Sequence, residues 1–237
     1  MGESDVFHTL FVVYRDPTAQ LSEADLDLVA RAATRLRGLV VGLAFTPISV
    51  EGEHPFVRDR RGPPLVLQLD FDAAEDLDAA VSANSPLVEI VSGAIPSLPG
   101  SVVGRQRMIG RRFAVPDPVF RLTPGARPCT FLVEYPGTTT DLTAWLDHYD
   151  AYHPPIMARF PGIREVATFR PAPSERDDLP CERETSMQRN KVVFDSTAAL
   201  VAALNSPVMA EMRADAASFP PSSRRATHHA MATRRLV

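Results

Sequence analysis

The stretch Trp145 to Pro155, Trp-Leu-Asp-His-Tyr-Asp-Ala-Tyr-His-Pro-Pro, gathers the chain's single tryptophan, two of its four tyrosines and two of its six histidines. An imidazole titrates near neutral pH and can take up or release a proton there. A phenol beside it can donate a hydrogen bond to a carbonyl, or to the enolate left when an adjacent proton departs. Trp145, Tyr149 and His153 recur at every fourth position, so a helix sets them along one face. Tyr152 and Ile156 extend that face, and His148 lies at its edge. Pro154 disfavours helical geometry at His153, so the spacing predicts that the helix bends or ends there. Burial would lower the pKa of His153 and a helix C-terminus would raise it. The same stripe read without chemistry is aromatic core packing with polar edges.

Two further places hold candidate groups. His228 and His229 are consecutive on a predicted strand and therefore face opposite sides of a sheet. His229 is preferred for the pocket, because its alternation partners Thr227 and Met231 read as half-buried. Glu134, alternating with Leu132, is either a base or orienting group for His153, or a solvated charge. The expected catalytic set is thus His153, Tyr149 and His229, with Tyr152, Trp145, Glu134, His148 and His228 as substrate contacts.

These residues sit on a repeating scaffold. Residues 7–15 form a β-branched and aromatic run stopped by Asp16-Pro17, which reads as a strand. Ser22 is an N-cap, followed by a helix with acids in its first turn, Arg in its last and Gly38 beyond it. Strands follow over 39–48 and 65–71. Residues 50–63, including His54 and the run Arg58 to Gly62, read as a solvated loop. Two short helices, 73–82 and 86–94, are broken at Asn84-Ser85-Pro86, and 102–113 is a fourth strand. The order is β-α-β-β-α-β. Residues 116–127 are rich in Pro and form a linker.

The pattern then returns. Cys129 to Tyr135 matches His8 to Tyr14, Phe160 to Pro171 matches Leu36 to Pro47, and Asn205-Ser206-Pro207 matches Asn84-Ser85-Pro86. Phe194-Asp195 matches Phe71-Asp72, and Arg234-Arg235-Leu236 matches Arg111-Arg112-Phe113. The offset stays between 121 and 124 (129 against 8, 160 against 36, 234 against 111), which points to an internal duplication. One such unit makes a four-stranded antiparallel sheet with helices on one face and leaves the other face bare. Two units can cover each other's bare faces. The expected fold is therefore α+β: tandem ferredoxin-like units, 1–115 and 128–237, closing as an intramolecular barrel with helices outside and the linker spanning it. The first-unit helix, Leu28 to Arg35, has no His or aromatic residue where the second unit has His148 to Pro155, and the second unit holds four of the six histidines. That asymmetry places the chemistry in the second unit and makes the first one degenerate.

The motif His-Tyr-x-x-x-His-x-Pro followed by Phe-Pro-Gly-Ile, over 148–163, resembles the EthD-like family of the dimeric α+β barrel superfamily. The Asn-Ser-Pro break late in each copy is also like it. The resemblance covers about residues 128–237. It implies a barrel that relatives usually build from two chains, with His153 on the position of the motif histidine. The superfamily includes cofactor-free cyclases, isomerases, lyases and quinone-forming monooxygenases, together with haem-binding members; fold analogy alone does not choose among them.

Composition narrows the rest. With 45% hydrophobic and 23% charged residues and a net charge of −4, the 237-residue chain is of ordinary globular kind. Its scattered positive charge argues against a nucleic-acid partner. No apolar run approaches the length of a membrane span, and the acidic N-terminus lacks signal-peptide character, so a cytoplasmic location is expected. Cys129 and Cys181 fit no metal spacing and read as reduced thiols. No metal-ligand spacing, phosphate loop or nucleophile elbow occurs.

The expectation is a cofactor-independent enzyme that moves a proton next to the carbonyl of a small aromatic or polyketide-like ketone or lactone, in a cyclase, isomerase or lyase type of reaction. It would act as a monomer or as a homodimer of the fused barrel. The alternative is a non-enzymatic binder of a hydrophobic molecule or haem, with His153 or His229 as axial ligand. If the first reading holds, activity survives a chelator; elemental analysis finding one transition metal per chain, lost together with activity, would overturn it.

Overall fold

The computed structural model describes residues 6–16, 19–51, 62–173 and 177–237. His54 and Arg58 to Arg61 lie outside them. In the first half, β1 (Val6–Arg15), α1 (Glu23–Ala33), β2 (Leu39–Pro47), β3 (Leu65–Phe71), α2 (Ala74–Ala80), α3 (Leu87–Glu89) and β4 (Val102–Phe113) follow the predicted order, α3 running on into a π-helical turn, Ile90–Ala94. The second half holds β5 (Cys129–Tyr135), α4 (Leu142–Met157), β6 (Ile163–Pro171), β7 (Glu182–Arg183), β8 (Gln188–Phe194), α5 (Thr197–Leu204), α6 (Val208–Ala216) and β9 (Thr227–Arg235).

Eight of these strands form one closed antiparallel barrel in the order β4-β1-β3-β2-β9-β5-β8-β6, with β6 returning to β4. The order within each half is the same: fourth, first, third, second strand. Two seams join the halves. One pairs β2 with β9, from Leu43 opposite Arg235 to Pro47 opposite Met231. The other pairs β4 with β6, from Met108 opposite Pro171 to Phe113 opposite Val166. The unforeseen strand β7 lies parallel to β4 outside the closed ring. It is drawn there by the buried Arg105, whose guanidinium holds Asp177 and the Cys181 carbonyl while its own carbonyl accepts from the Glu184 amide.

Alternation along each strand sorts the side chains into three cores. Phe7, Phe11, Phe45, Leu132, Phe169 and Met231 point into the barrel, so the interior is packed. Charged groups share it in pairs: Arg189 with Glu134 and Glu184, and Lys191 with Glu165 at 3.0 Å. Such burial is tolerable only when each charge keeps its partner. The outward face of the first half packs Leu10, Val12 and Leu69 against Leu26 and Val29 of α1 and Leu98, all at most 2% exposed. The outward face of the second half packs against α4, α5 and α6 around Trp145.

The linker crosses the ends of β6 and β8. Arg164 of β6 donates to Asp117 and to Asp195, and Asp195 in turn accepts from the Arg121 amide. Arg127 then reaches Glu23 at 2.8 Å on the first half. Cys129 and Cys181 are both free thiols. No helix among the described residues is long and apolar enough to cross a membrane.

One expectation is corrected. Of the two outcomes expected at His153, a bend or an end, the end does not occur: helix α4 continues through Pro154 and Pro155 to Met157. The two rings forfeit the amide bonds that would have gone to the carbonyls of Asp150 and Ala151. The ladder resumes at once, with the Ala158 amide donating to the Pro154 carbonyl at 2.9 Å, and Arg170 clamps the turn before it by bonding Asp150 and the Leu146 carbonyl.

Phe169 sits beside the β4–β6 seam, fully buried and edge-on to Phe7 and Phe11 at 6.0 and 4.9 Å between ring centres. Phe169→Ala is expected to cost about 3–5 kcal/mol; urea unfolding that finds under about 1 kcal/mol, the range of surface changes, would show that the interior is not what closes the barrel.

Candidate functional site

Helix α4 starts at an N-cap, Asp141, whose carboxylate accepts from the Ala144 amide at 2.9 Å. From that fixed start the fourfold spacing works as expected. The Trp145 and Tyr149 rings stack at 5.3 Å and Tyr149 meets His153 at 4.8 Å. Phe219, from the segment after α6, closes over this row and reaches Trp145, Tyr149 and His153 at 5.0–5.5 Å.

Between this helix layer and the outward faces of β5, β8 and β9 lies a cavity of about 850 Å³, within the range of small-molecule pockets. Phe131, Val192, Phe194, Leu200 and Met212 give it an apolar floor; Tyr135, His153, Asn190 and His228 bring polar atoms to its wall. The corresponding layer of the first half is packed mainly with aliphatic side chains, together with Tyr14 and Phe71.

His153 is 5% exposed, and its Nδ1 lies 2.6 Å from Asp215 Oδ2 on α6. Burial lowers its pKa; the hydrogen bond and charge of Asp215 raise it, and burial wins. The neutral imidazole therefore carries its proton on Nδ1, donated to the carboxylate, which leaves the Nε2 lone pair to act on a molecule in the cavity. This is the arrangement that orients a general base and steadies the imidazolium it becomes. Nothing in the sequence distinguished Asp215 among 29 acidic residues; only the packing of α6 on α4 reveals it.

Tyr149 is completely buried and lies behind the cavity wall. Its hydroxyl accepts from the Asn190 side-chain amide at 2.6 Å and is hydrogen bonded to the Tyr135 hydroxyl. Burial raises the pKa of both phenols, that of Tyr135 to about 12, so both remain protonated donors. Tyr135 was not singled out from the sequence, although its alternation with Phe131 and Val133 marks the face it occupies.

The remaining candidates divide. His228 faces the cavity, with its ring 5.5 Å from Phe131, while His229 points to the opposite side of the sheet, against Gly62. The pair's faces are thus the reverse of the sequence preference. Glu134 also points inward. Burial disfavours its charge, but Arg189, Ser186 and Arg15 outweigh that and hold the carboxyl below the usual range. Trp145 lines the cavity, whereas Tyr152 is 57% exposed and packs on His148 outside it, and His148 bonds Ser218 at 3.1 Å. Among the described residues, no group of three or more His, Cys, Asp and Glu is placed to hold a metal ion.

Neither a protein-family model nor a curated protein matches the sequence. Solved structures do match. An anthrone oxidase-like protein is 13% identical, with 99% of this chain aligned to 94% of that one at a TM-score of 0.58. A candidate monooxygenase from Fusobacterium nucleatum (6% identical, 99% and 95% covered) gives 0.60. Another from Lactobacillus acidophilus NCFM (10%, 99% and 95%) gives 0.51. At these identities the likeness is one of fold: the chain is an eight-stranded antiparallel α+β barrel of the dimeric α+β barrel kind, along its whole length.

His228 provides a pH test of the cavity wall. Burial, then the neighbouring His229 and His153, lower its pKa to about 4. The unfolded chain takes up this proton near pH 6.5, so stability is full above that pH and is lost as pH falls towards 4. His228→Gln should lose less stability than the parent between pH 7 and 4.5 in urea titrations; equal losses would mean that His228 is solvated.

Proposed function

We propose that the protein is an enzyme that moves a proton next to the carbonyl of a small hydrophobic, aromatic ketone or lactone, in the cavity of its second half. The observation that carries this is the His153–Asp215 pair: a neutral imidazole, held through Nδ1, on the wall of a largely apolar cavity. His153 Nε2 removes a proton from the carbon beside the carbonyl, and the electron pair left behind moves onto the carbonyl oxygen as an enolate. The Tyr135 hydroxyl and the Asn190 amide are the donors for that oxygen, with Tyr149 positioning both from behind. Asp215 stabilises the imidazolium, which returns the proton to a different atom of the substrate. Isomerisation, cyclisation and lyase-type cleavage share this half-reaction.

Anthrone oxidase-like and monooxygenase names among the structural neighbours agree with a tricyclic ketone as a trial substrate, but fold analogy does not select the reaction. The same reading takes the chain as two fused β-α-β-β-α-β units, 1–115 and 128–237, joined by the linker 116–127. The first unit supports the barrel and the second carries the site. A carrier of haem or a hydrophobic molecule is the rival reading. It is favoured by the neutral state of both His153 and His228, the form in which imidazole binds haem iron.

Anthrone in D₂O without oxygen tests the proposal in its benzologous form. Its acidic methylene is joined to the carbonyl through the flanking rings, so the electron pair left there also reaches the carbonyl oxygen, and deuterium entering that methylene reports proton abstraction alone. The parent protein should accelerate exchange, and His153→Ala should lose about 10²–10⁴ of that rate. Tyr149→Phe should cost less, and Arg31→Ala in the first half should cost nothing. If folded His153→Ala exchanges as fast as the parent, the base is wrongly assigned. Anthrone bound without exchange, or a Soret band on adding haem, would favour the carrier.

A further inference from the structure

The mouth of the same cavity differs in character from its floor. Arg213 of α6 and the consecutive Arg224 and Arg225, in the segment leading into β9, all line it, and all three residues are exposed. No Asp or Glu lines the cavity among the described residues. The carboxylates on α6 are already engaged, Asp215 by His153 and Glu211 by Arg159 at 2.6 Å. Three exposed arginines therefore belong to the lining of an apolar chamber in a chain whose net charge is −4.

A cationic rim on an acidic protein concentrates positive potential at one place. Guanidinium groups offer paired N–H donors that match a carboxylate in two bonds. Their exposure means that binding an anion strips little water from them, while the apolar floor rewards a hydrophobic body. A neutral ligand would use the floor and leave the rim idle. We propose that the cavity selects amphipathic organic acids, with an aromatic or aliphatic body inside and an ionised carboxylate held at the mouth by Arg213, Arg224 and Arg225. This rests on the cavity being the substrate site. It gives the carbonyl compound an acidic group, placed at the far end of the molecule from the carbon facing His153.

Fluorescence titrations with anthracene-9-carboxylate and its neutral counterpart, 9-anthracenemethanol, test the charge selection. The acid should bind about tenfold more tightly than the alcohol, a modest yield for partly hydrated charge-assisted bonds. The advantage should shrink between about 50 and about 500 mM salt. It should vanish in the triple variant Arg213→Gln, Arg224→Gln, Arg225→Gln, which should bind the alcohol as the parent does. Leu200→Trp, filling the chamber, should block both compounds; Ala216→Trp at the exposed rim replaces it if that variant does not fold. Equal binding of acid and alcohol by the parent, or a preference that survives the triple variant, overturns the proposal and leaves the proton-transfer reading standing. Acid binding that ignores both Trp variants places the anion outside the cavity and also overturns it. If neither compound binds, the cavity is not a site for such bodies, and the inference falls together with the reading beneath it.

Discussion

Burial of both faces of the barrel wall, complete along β3 and β8, is the constraint on which this structure depends. A four-stranded sheet with helices on one side leaves an apolar face and two edges exposed, and both are liabilities in water. Closing the two halves into one ring removes the edges and turns the bare faces towards each other. The cost is a crowded interior that must also accept Arg189, Lys191, Asp70 and Glu134. Pairing makes that tolerable: Asp70 accepts from Thr9 and Gln68, and Glu134 is held by Arg189. With the centre filled in this way, the cavity around His153 lies in an outer layer, between sheet and helices.

The two outer layers have gone different ways. In the first half, Leu26 and Val29 of α1 meet Ile90, Ile95 and Leu98 and leave the layer packed. In the second, the longer α4 presents rings where α1 presents aliphatic side chains. Those rings stack along the helix and against Phe219, so they hold the layer apart around an open chamber. His153 belongs to this aromatic row and to the chamber wall at once. Its burial and its pairing with Asp215 follow from packing that the helix needs anyway, which is how a site can arise with little disturbance of the fold.

Most of the architecture was legible in the sequence. β3 occupies residues 65–71 and β4 residues 102–113, as the runs between turn residues predict, and Ser22 caps α1 through a reciprocal bond with Asp25. What could not be read has a common physical origin. In a closed barrel covered by helices both faces of a strand are buried, as all seven residues of β3 and of β8 are. Alternation then separates two faces without saying which one meets the helices. The preference for His229 over His228 fell on the wrong side for that reason, and the inward turn of Glu134 was equally open. Asp215 was invisible because its role depends on a helix-to-helix contact between residues 62 apart in the chain. The Pro154-Pro155 pair misled in the opposite sense: tertiary bonds from Arg170 uphold a helix that local geometry alone would end.

Both seams of the barrel join segments of a single chain. Barrels of this type assembled from separate subunits obey mass action, and dilution opens them. Here ring closure is unimolecular: the partner sheet is present at an effective concentration fixed by the tether, not by the cell. A protein so built keeps its shape however scarce it is. It is also released from the rule that a substitution in a homodimer strikes twice, at symmetry-related places. One face can be sealed with aliphatic side chains while its counterpart accumulates histidine and arginine, a division of labour that identical subunits cannot evolve.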